Sequence, residues 1–462
     1  MLSLADAILD NQLDAVKTIL QQGESVNQID EYGFTPLIEA AIGDHFEVAQ
    51  LLINYGAYPN QTDMLGATAL HWAAENNNVS LAKLLLGKGA DPNAYNFSGQ
   101  PLLVMPLLRQ QQALKNLLLQ QGADLLFAQD YINTKLLGHM FELVGTADIV
   151  DPKNNFVEVD FEGFFLEVSL ALIADSLAQF KNHYAGRQLR RYLNLFELVI
   201  DAVFRAARLI KYQQYQVNWQ THQQEIQPLI AQEPLIIPIG YEGHAITFVK
   251  LGNILVKCDR REESRHVDTI TIYQVNRPQL LTQTFISELI YEKQSDYFIN
   301  VELPDFLQLQ PLTELKVPAQ ISGNCSWANV EACIPVLFFL FFSKNEDFEA
   351  NNAYYKNLAL SFFKQWREWN KDRALQFCIQ SFQQADSIRK ACKAEILAAI
   401  LFQSCGGVSP LEQERAELIL RALAQPEYEH IVQNYVKSYC YEDYSEEGQN
   451  FLRLLRNNGY NV

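Results

Sequence analysis

Apolar positions divide the chain into stretches of different period. Phe164, Leu166, Leu170, Ile173 and Leu177 recur near 3.6 residues, and a second such run extends from Leu189 to Ile210, so Asn133 to about Ala231 reads as helical. At Pro234 the spacing changes. Leu235-Ile236-Ile237-Pro238, Ala245 to Val249 and Ile254 to Val256 are short runs of strand type, the last two joined by a turn containing Leu251-Gly252-Asn253. This hairpin is entered through Gly240-Tyr241-Glu242-Gly243-His244, and another strand, His266 to Val275, follows the charged turn Arg260 to Arg265. Val317 to Asn329 then reads as a loop that opens into an apolar helix, with Pro335 expected to kink it after one or two turns. The longest apolar stretch, Ala332 to Phe342, is short of the roughly 20 residues a bilayer-spanning helix needs, so it is expected in a core and no membrane span is predicted. From Glu442 to Val462 the pattern is acidic and then helical.

Upstream of these elements the chain repeats itself. Gly23, Gly56, Gly89 and Gly122 stand 33 residues apart, as do Asn27, Asn60 and Asn93. Gly33-Phe34-Thr35-Pro36-Leu37 and Gly66-Ala67-Thr68-Ala69-Leu70-His71 supply a turn and a helix start, each followed by a pair of alanines that lets helices approach. The copy at Ser98-Gly99-Gln100-Pro101-Leu102 has its proline one position early, and the first copy lacks the motif, as terminal copies do when one face meets solvent or another domain. This period and these motifs resemble ankyrin repeats. The resemblance implies four units, roughly 1 to 32, 33 to 65, 66 to 98 and 99 to 131, each with two antiparallel helices and a projecting hairpin. It also implies protein binding along the hairpin edge, where Tyr32, Met64, Leu65 and Phe97 are apolar at positions the family exposes. Packing between neighbouring hairpins is the alternative for these four.

Charge narrows the choice of partner. The net charge of -18 opposes binding to a phosphate backbone or an anionic membrane in general, and Arg187 to Arg191 is only a weak basic patch. The array alone carries five basic residues against fourteen acidic ones, so a basic surface on a partner protein suits it. Asp6, Asp10 and Asp14 at the start do not fit a secretory signal. Seven scattered cysteines, with no CxxC pair and no Cys/His cluster at zinc spacing, predict reduced thiols and neither a metal nor another cofactor.

One combination of residues suggests chemistry. His244 begins a hairpin after two glycines, Asp259 lies at the far end of the returning strand, and antiparallel pairing brings those ends together. Cys325 stands where the later loop becomes a helix, where unpaired N–H groups and the macrodipole stabilise a thiolate and a nearby imidazole lowers its pKa further. Singly, each is ordinary: a buried thiol at a helix start, a strand-edge histidine. Together with Gln320 they resemble the ubiquitin-like-protein protease clan, which includes SUMO proteases and bacterial acetyltransferase effectors. The resemblance implies that His244 is the base, Asp259 orients it, Cys325 attacks and Gln320 helps hold the oxyanion. Asp268 or a carbonyl could orient the ring instead. The Cys-Ser-Trp segment is also similar to the nucleophile turn of papain-type enzymes, although the order of histidine before cysteine is not theirs. Gln320 stands one position closer to the cysteine than the clan has it, and no tryptophan follows His244. Cys378, Cys392 and Cys405 are expected on apolar helix faces, and Trp366 and Trp369 as packing residues.

The expected architecture is α+β and multidomain: an all-α ankyrin solenoid at 1 to 131, a helical lead-in at 132 to 232, a cysteine-protease-like sheet and nucleophile helix at 233 to 345, and a C-terminal helical region at 346 to 462 packing on it. The layout resembles the ankyrin-repeat translocated effectors of Legionella. It implies non-classical translocation into the host cytosol or nucleus and binding of a host protein. The sequence leaves two functions open: a thiol hydrolase or acyl-transfer enzyme acting on a bound protein, or a non-catalytic adaptor with a pseudo-protease domain. Oligomeric state is undetermined beyond a preference for the monomer.

Overall fold

The computed structural model describes residues 2–30, 33–213, 218–241, 243–260, 269–318, 323–343, 352–406, 409–440 and 446–460. Four helix pairs open the chain: α1 (Leu4–Leu9) with α2 (Leu13–Gln21), α3 (Pro36–Ile42) with α4 (Phe46–Asn54), α5 (Ala69–Glu75) with α6 (Val79–Gly87), and α7 (Val104–Leu108) with α8 (Gln112–Gln120). Thr35 caps α3, its hydroxyl accepting from the Ile38 N–H at 3.2 Å, and Pro36 occupies the first helical position, where no N–H is needed. The paired alanines 40, 41, 73 and 74 are fully buried between neighbouring helices.

The asparagine period has a direct cause. The amide of Asn27 donates to the Gly56 carbonyl at 3.1 Å while its oxygen accepts from the Tyr58 N–H at 2.9 Å. Asn60 treats Gly89 and Asp91 in the same way, and Asn93 treats Gly122 and Asp124. Each side chain thus satisfies two backbone groups of the following repeat, whose glycine sits at a φ near +90°.

The hairpin fingers stack through a second set of glycines. Met64 packs over Gly33 and Phe97 over Gly66, yet Met64, Leu65 and Phe97 stay 64%, 69% and 76% exposed. Packing and display therefore coexist at these tips. Tyr32 lies outside the described residues.

Next come α9 (Leu125–Phe141), capped by Asp124, and an antiparallel hairpin of β1 (Thr146–Val150) and β2 (Phe156–Asp160). The strands correct the sequence reading, since they interrupt the stretch read as helical; helix α9 passes through position 131. Each strand is only five residues long and turns alternate side chains inward. Ile149, Val157 and Val159 join the ankyrin core, and Gly99 lies against the backbone of β2, so the hairpin continues the stack of fingers.

Helices α10 (Leu166–Asn182), α11 (Leu193–Ile210) and α12 (Gln223–Ile230) lead to a five-stranded antiparallel sheet in chain order: β3 (Leu235–Tyr241), β4 (His244–Leu251), β5 (Ile254–Cys258), β6 (Thr269–Val275) and β7 (Leu309–Lys316). Between β6 and β7 lie α13 (Gln283–Tyr291) and α14 (Leu303–Leu307). The sheet is covered on both faces, which is why Leu235-Ile236-Ile237 is continuously apolar. Ile236, Val249 and Val256 face a core shared with α10 and α11, whereas Leu235, Ile237 and Leu255 face α12, α13 and α14.

Helix α15 (Cys325–Ser343) crosses the first of these cores. It passes Pro335 without a break and is longer than the apolar stretch alone suggested. Its 19 residues are long and apolar enough to span a bilayer, but 89% of its apolar window is buried, so it is a core helix. After it follow α16 (Asn352–Gln384), α17 (Ser387–Ser404), α18 (Pro410–Leu423), α19 (Glu429–Tyr439) and α20 (Glu446–Asn457). One core cluster draws on α9, the sheet, α15 and all of these helices, and so on each segment expected beyond the array. Cys378, Cys392, Cys405 and Trp366 are buried in this region.

Candidate active site

Helix α15 begins at Cys325, and the Asn324 carbonyl accepts the N–H groups of Trp327 and Ala328 at 3.2 and 2.9 Å. The sulfur therefore lies at the positive end of a 19-residue helix. Cys325 is half-buried, while the other six cysteines are buried. The Ala245 N–H donates to Sγ at 3.4 Å, and the ring of His244, the first residue of β4, lies close enough to act on the same thiol. Asp259, immediately after β5, holds that ring, with Nε2 and Oδ1 3.1 Å apart. Pairing of Thr247 with Cys258 sets the register that brings the two strand ends together.

Electrostatics favour an ion pair here. Burial works against a charged imidazole, but the hydrogen bonds from Asp259 and Cys325 outweigh it and raise the His244 pKa to about 9. Burial would likewise push the Cys325 thiol up; hydrogen bonds from His244 and the Ala245 backbone and the imidazolium charge bring it below its ordinary range. Lys257 approaches the second Asp259 oxygen at 3.5 Å. Gln320 and Asp268 lie outside the described residues.

Three positioning features were not anticipated. Asn329, one turn beyond Cys325 and buried, donates to the Ala245 carbonyl at 2.7 Å and accepts the Arg260 N–H at 2.8 Å. It fastens α15 to the neighbours of both His244 and Asp259. Arg260 is buried beneath, bonded to the Pro318 carbonyl at 2.6 Å and to Glu142 at 3.3 Å, and Arg367 joins Glu142 and Glu331 in the same cluster. On the far side, Asn324 exchanges hydrogen bonds with His139 of α9, at 2.5 Å to the ring and 3.3 Å to the carbonyl. No local motif announces such contacts. The partners of Asn329 and Asn324 lie 69 to 185 residues away.

Array, sheet and thiol centre together define an ankyrin-repeat protein whose second region holds an accessible thiol paired with an imidazole. The ankyrin-repeat family matches residues 4–96 as three copies. Among curated proteins none matches the chain at a significant level. A solved structure described as that of the Legionella effector AnkH is 42% identical, with a TM-score of 0.83, over 99% of this chain and 98% of that one. The chain belongs to the family of the Legionella effector AnkH.

Proposed function

We propose that the chain is a bacterial effector that docks a host protein on its ankyrin edge and acts on a protein acyl group with Cys325. The observation that carries the catalytic part is the convergence of Cys325, His244 and Asp259, with the thiol pKa lowered and the imidazole pKa raised. In this reading the thiolate adds to an amide, isopeptide or thioester carbonyl. With an amide, the C–N bond breaks as His244 passes its proton to the leaving nitrogen, and water then releases the acyl group and regenerates the thiol. Gln320 is assigned to the oxyanion. Likeness to a protein described as an effector supports delivery into a host cell, and the cytosol or nucleus is the compartment this reading assigns.

The exposed tips Met64, Leu65 and Phe97 and the acidic array support capture of a partner with a basic surface. They equally favour the second reading, an adaptor that works by binding alone. Thiol reactivity separates the two. Iodoacetamide near pH 6 is expected to modify Cys325 well ahead of the other six cysteines, and His244→Ala to abolish that lead. Slow, uniform labelling of all seven overturns the catalytic reading and leaves the adaptor.

A further inference from the structure

The segment that leaves β2 crosses the nucleophile loop. The Gly163 N–H donates to the Gly323 carbonyl at 3.0 Å, and Gly323 precedes Cys325 by two residues, a separation of at most about 7 Å along the backbone. Gly323 has φ +76°, and the position a Cβ would take there is already filled by the side chain of Glu162. The glycine allows an acidic side chain to lie directly against the loop that presents the thiol.

Among the described residues that carboxylate makes no hydrogen bond or salt bridge, though its charge reaches Lys135. Lys135, the neighbouring cation, bonds the Asp160 carboxylate at 2.6 Å and the Glu162 backbone carbonyl at 2.5 Å, which fixes the loop and neutralises Asp160. Glu162 itself is exposed. Beside it Phe164 is half-buried against His139, the residue that clamps Asn324, and Phe165 packs on Phe164. An exposed carboxylate next to aromatic rings suits a side chain with a cationic head and an apolar stem.

We propose that Glu162 sets the charge preference of the Cys325 centre, favouring substrates with a lysine or arginine side chain next to the acyl group under attack. This rests on the reading of Cys325 as a reactive thiolate and names the substrate class of that site. Glu162 acts as a specificity determinant; it takes no part in bond making.

Two methanethiosulfonates of similar size, one ending in trimethylammonium and one in sulfonate, test this without a substrate. The thiolate displaces methanesulfinate from either reagent and forms a mixed disulfide, which peptide mass spectrometry localises to Cys325. At low ionic strength the ratio of cationic to anionic labelling rates is expected to fall about two- to five-fold in Glu162→Gln and further in Glu162→Lys, the order expected for one charge within about a Debye length of the sulfur in a wet site. Glu158→Gln, the same charge change on the array side of β2, is expected to leave the ratio nearly unchanged. If Cys325 labels at its usual speed but the ratio is the same in both Glu162 variants, or falls equally in Glu158→Gln, the charge preference is overturned. If Cys325 of the unaltered chain reacts with neither reagent, the thiolate reading itself is overturned.

Discussion

Replacing Asn329 with alanine tests how the site is held. The side chain is 1% exposed and makes two hydrogen bonds, 2.7 Å to the Ala245 carbonyl and 2.8 Å from the Arg260 N–H. Alanine removes this partner from the buried Arg260 N–H and from the half-buried Ala245 carbonyl, at about 1–3 kcal/mol for the first and less for the second, so a loss of about 1–4 kcal/mol is expected in urea unfolding. The same change frees Ala245, whose N–H supports the Cys325 sulfur, and the residue after Asp259. Losing one such hydrogen bond to a thiolate is worth about one pH unit. The midpoint of the pH dependence of Cys325 alkylation is therefore expected to rise by about one unit in Asn329→Ala. Asn329→Asp, which can still accept from Arg260 but cannot donate to Ala245, is expected to raise it as well. If Asn329→Ala loses stability while the alkylation midpoint stays put, Asn329 is a core contact and has no part in positioning the thiol.

Two further outcomes follow from other regions. Gly99→Ala puts a Cβ 2.6 Å from the Glu158 carbonyl at a φ of +70°, whereas Gly23→Ala meets nothing within 4 Å at +96°. Both pay the left-handed backbone penalty of about 1–2 kcal/mol, so Gly99→Ala is expected to be the more destabilising in urea, and equal losses refute tight packing of the β1–β2 hairpin on the fingers. His139 has its pKa lowered to about 4, chiefly by burial, from an ordinary 6.5. The unfolded chain therefore binds a proton in that window that the folded chain does not. Its contribution to stability is complete at neutral pH and falls by about 2 kcal/mol by pH 5. His139→Gln, which can still bond Asn324, is expected to flatten that part of the stability–pH curve, and an unchanged slope refutes the assignment.

What the sequence made legible was local or periodic. The glycines and asparagines of the array declare themselves because each repeat poses the same backbone problem, and the sheet declares itself because Leu235-Ile236-Ile237 and Ala245 to Val249 are apolar on both faces. His244 and Asp259 could be placed together because strand pairing dictates which ends meet, and Cys325 joined them through the resemblance to a protease clan. Asn329, Arg260 and Glu142 could not, since each gains its role from partners far along the chain. The β1–β2 hairpin did leave a trace, the turn residues Asp151 to Asn155, where Asp151 accepts the N–H groups of Lys153 and Asn155. Helical periodicity on both sides masked it.

The asparagine ladder also has an end. Counting 33 residues on from Asn93 reaches Leu126, an aliphatic side chain that can neither donate to nor accept from a following repeat. The last rung of the ladder is therefore the one from Asn93 to Gly122 and Asp124. Freed from the 33-residue measure, the chain spends the next segment on the long helix that carries His139 to the thiol loop. The same helix thus packs on the array at one end and holds the loop before Cys325 at the other.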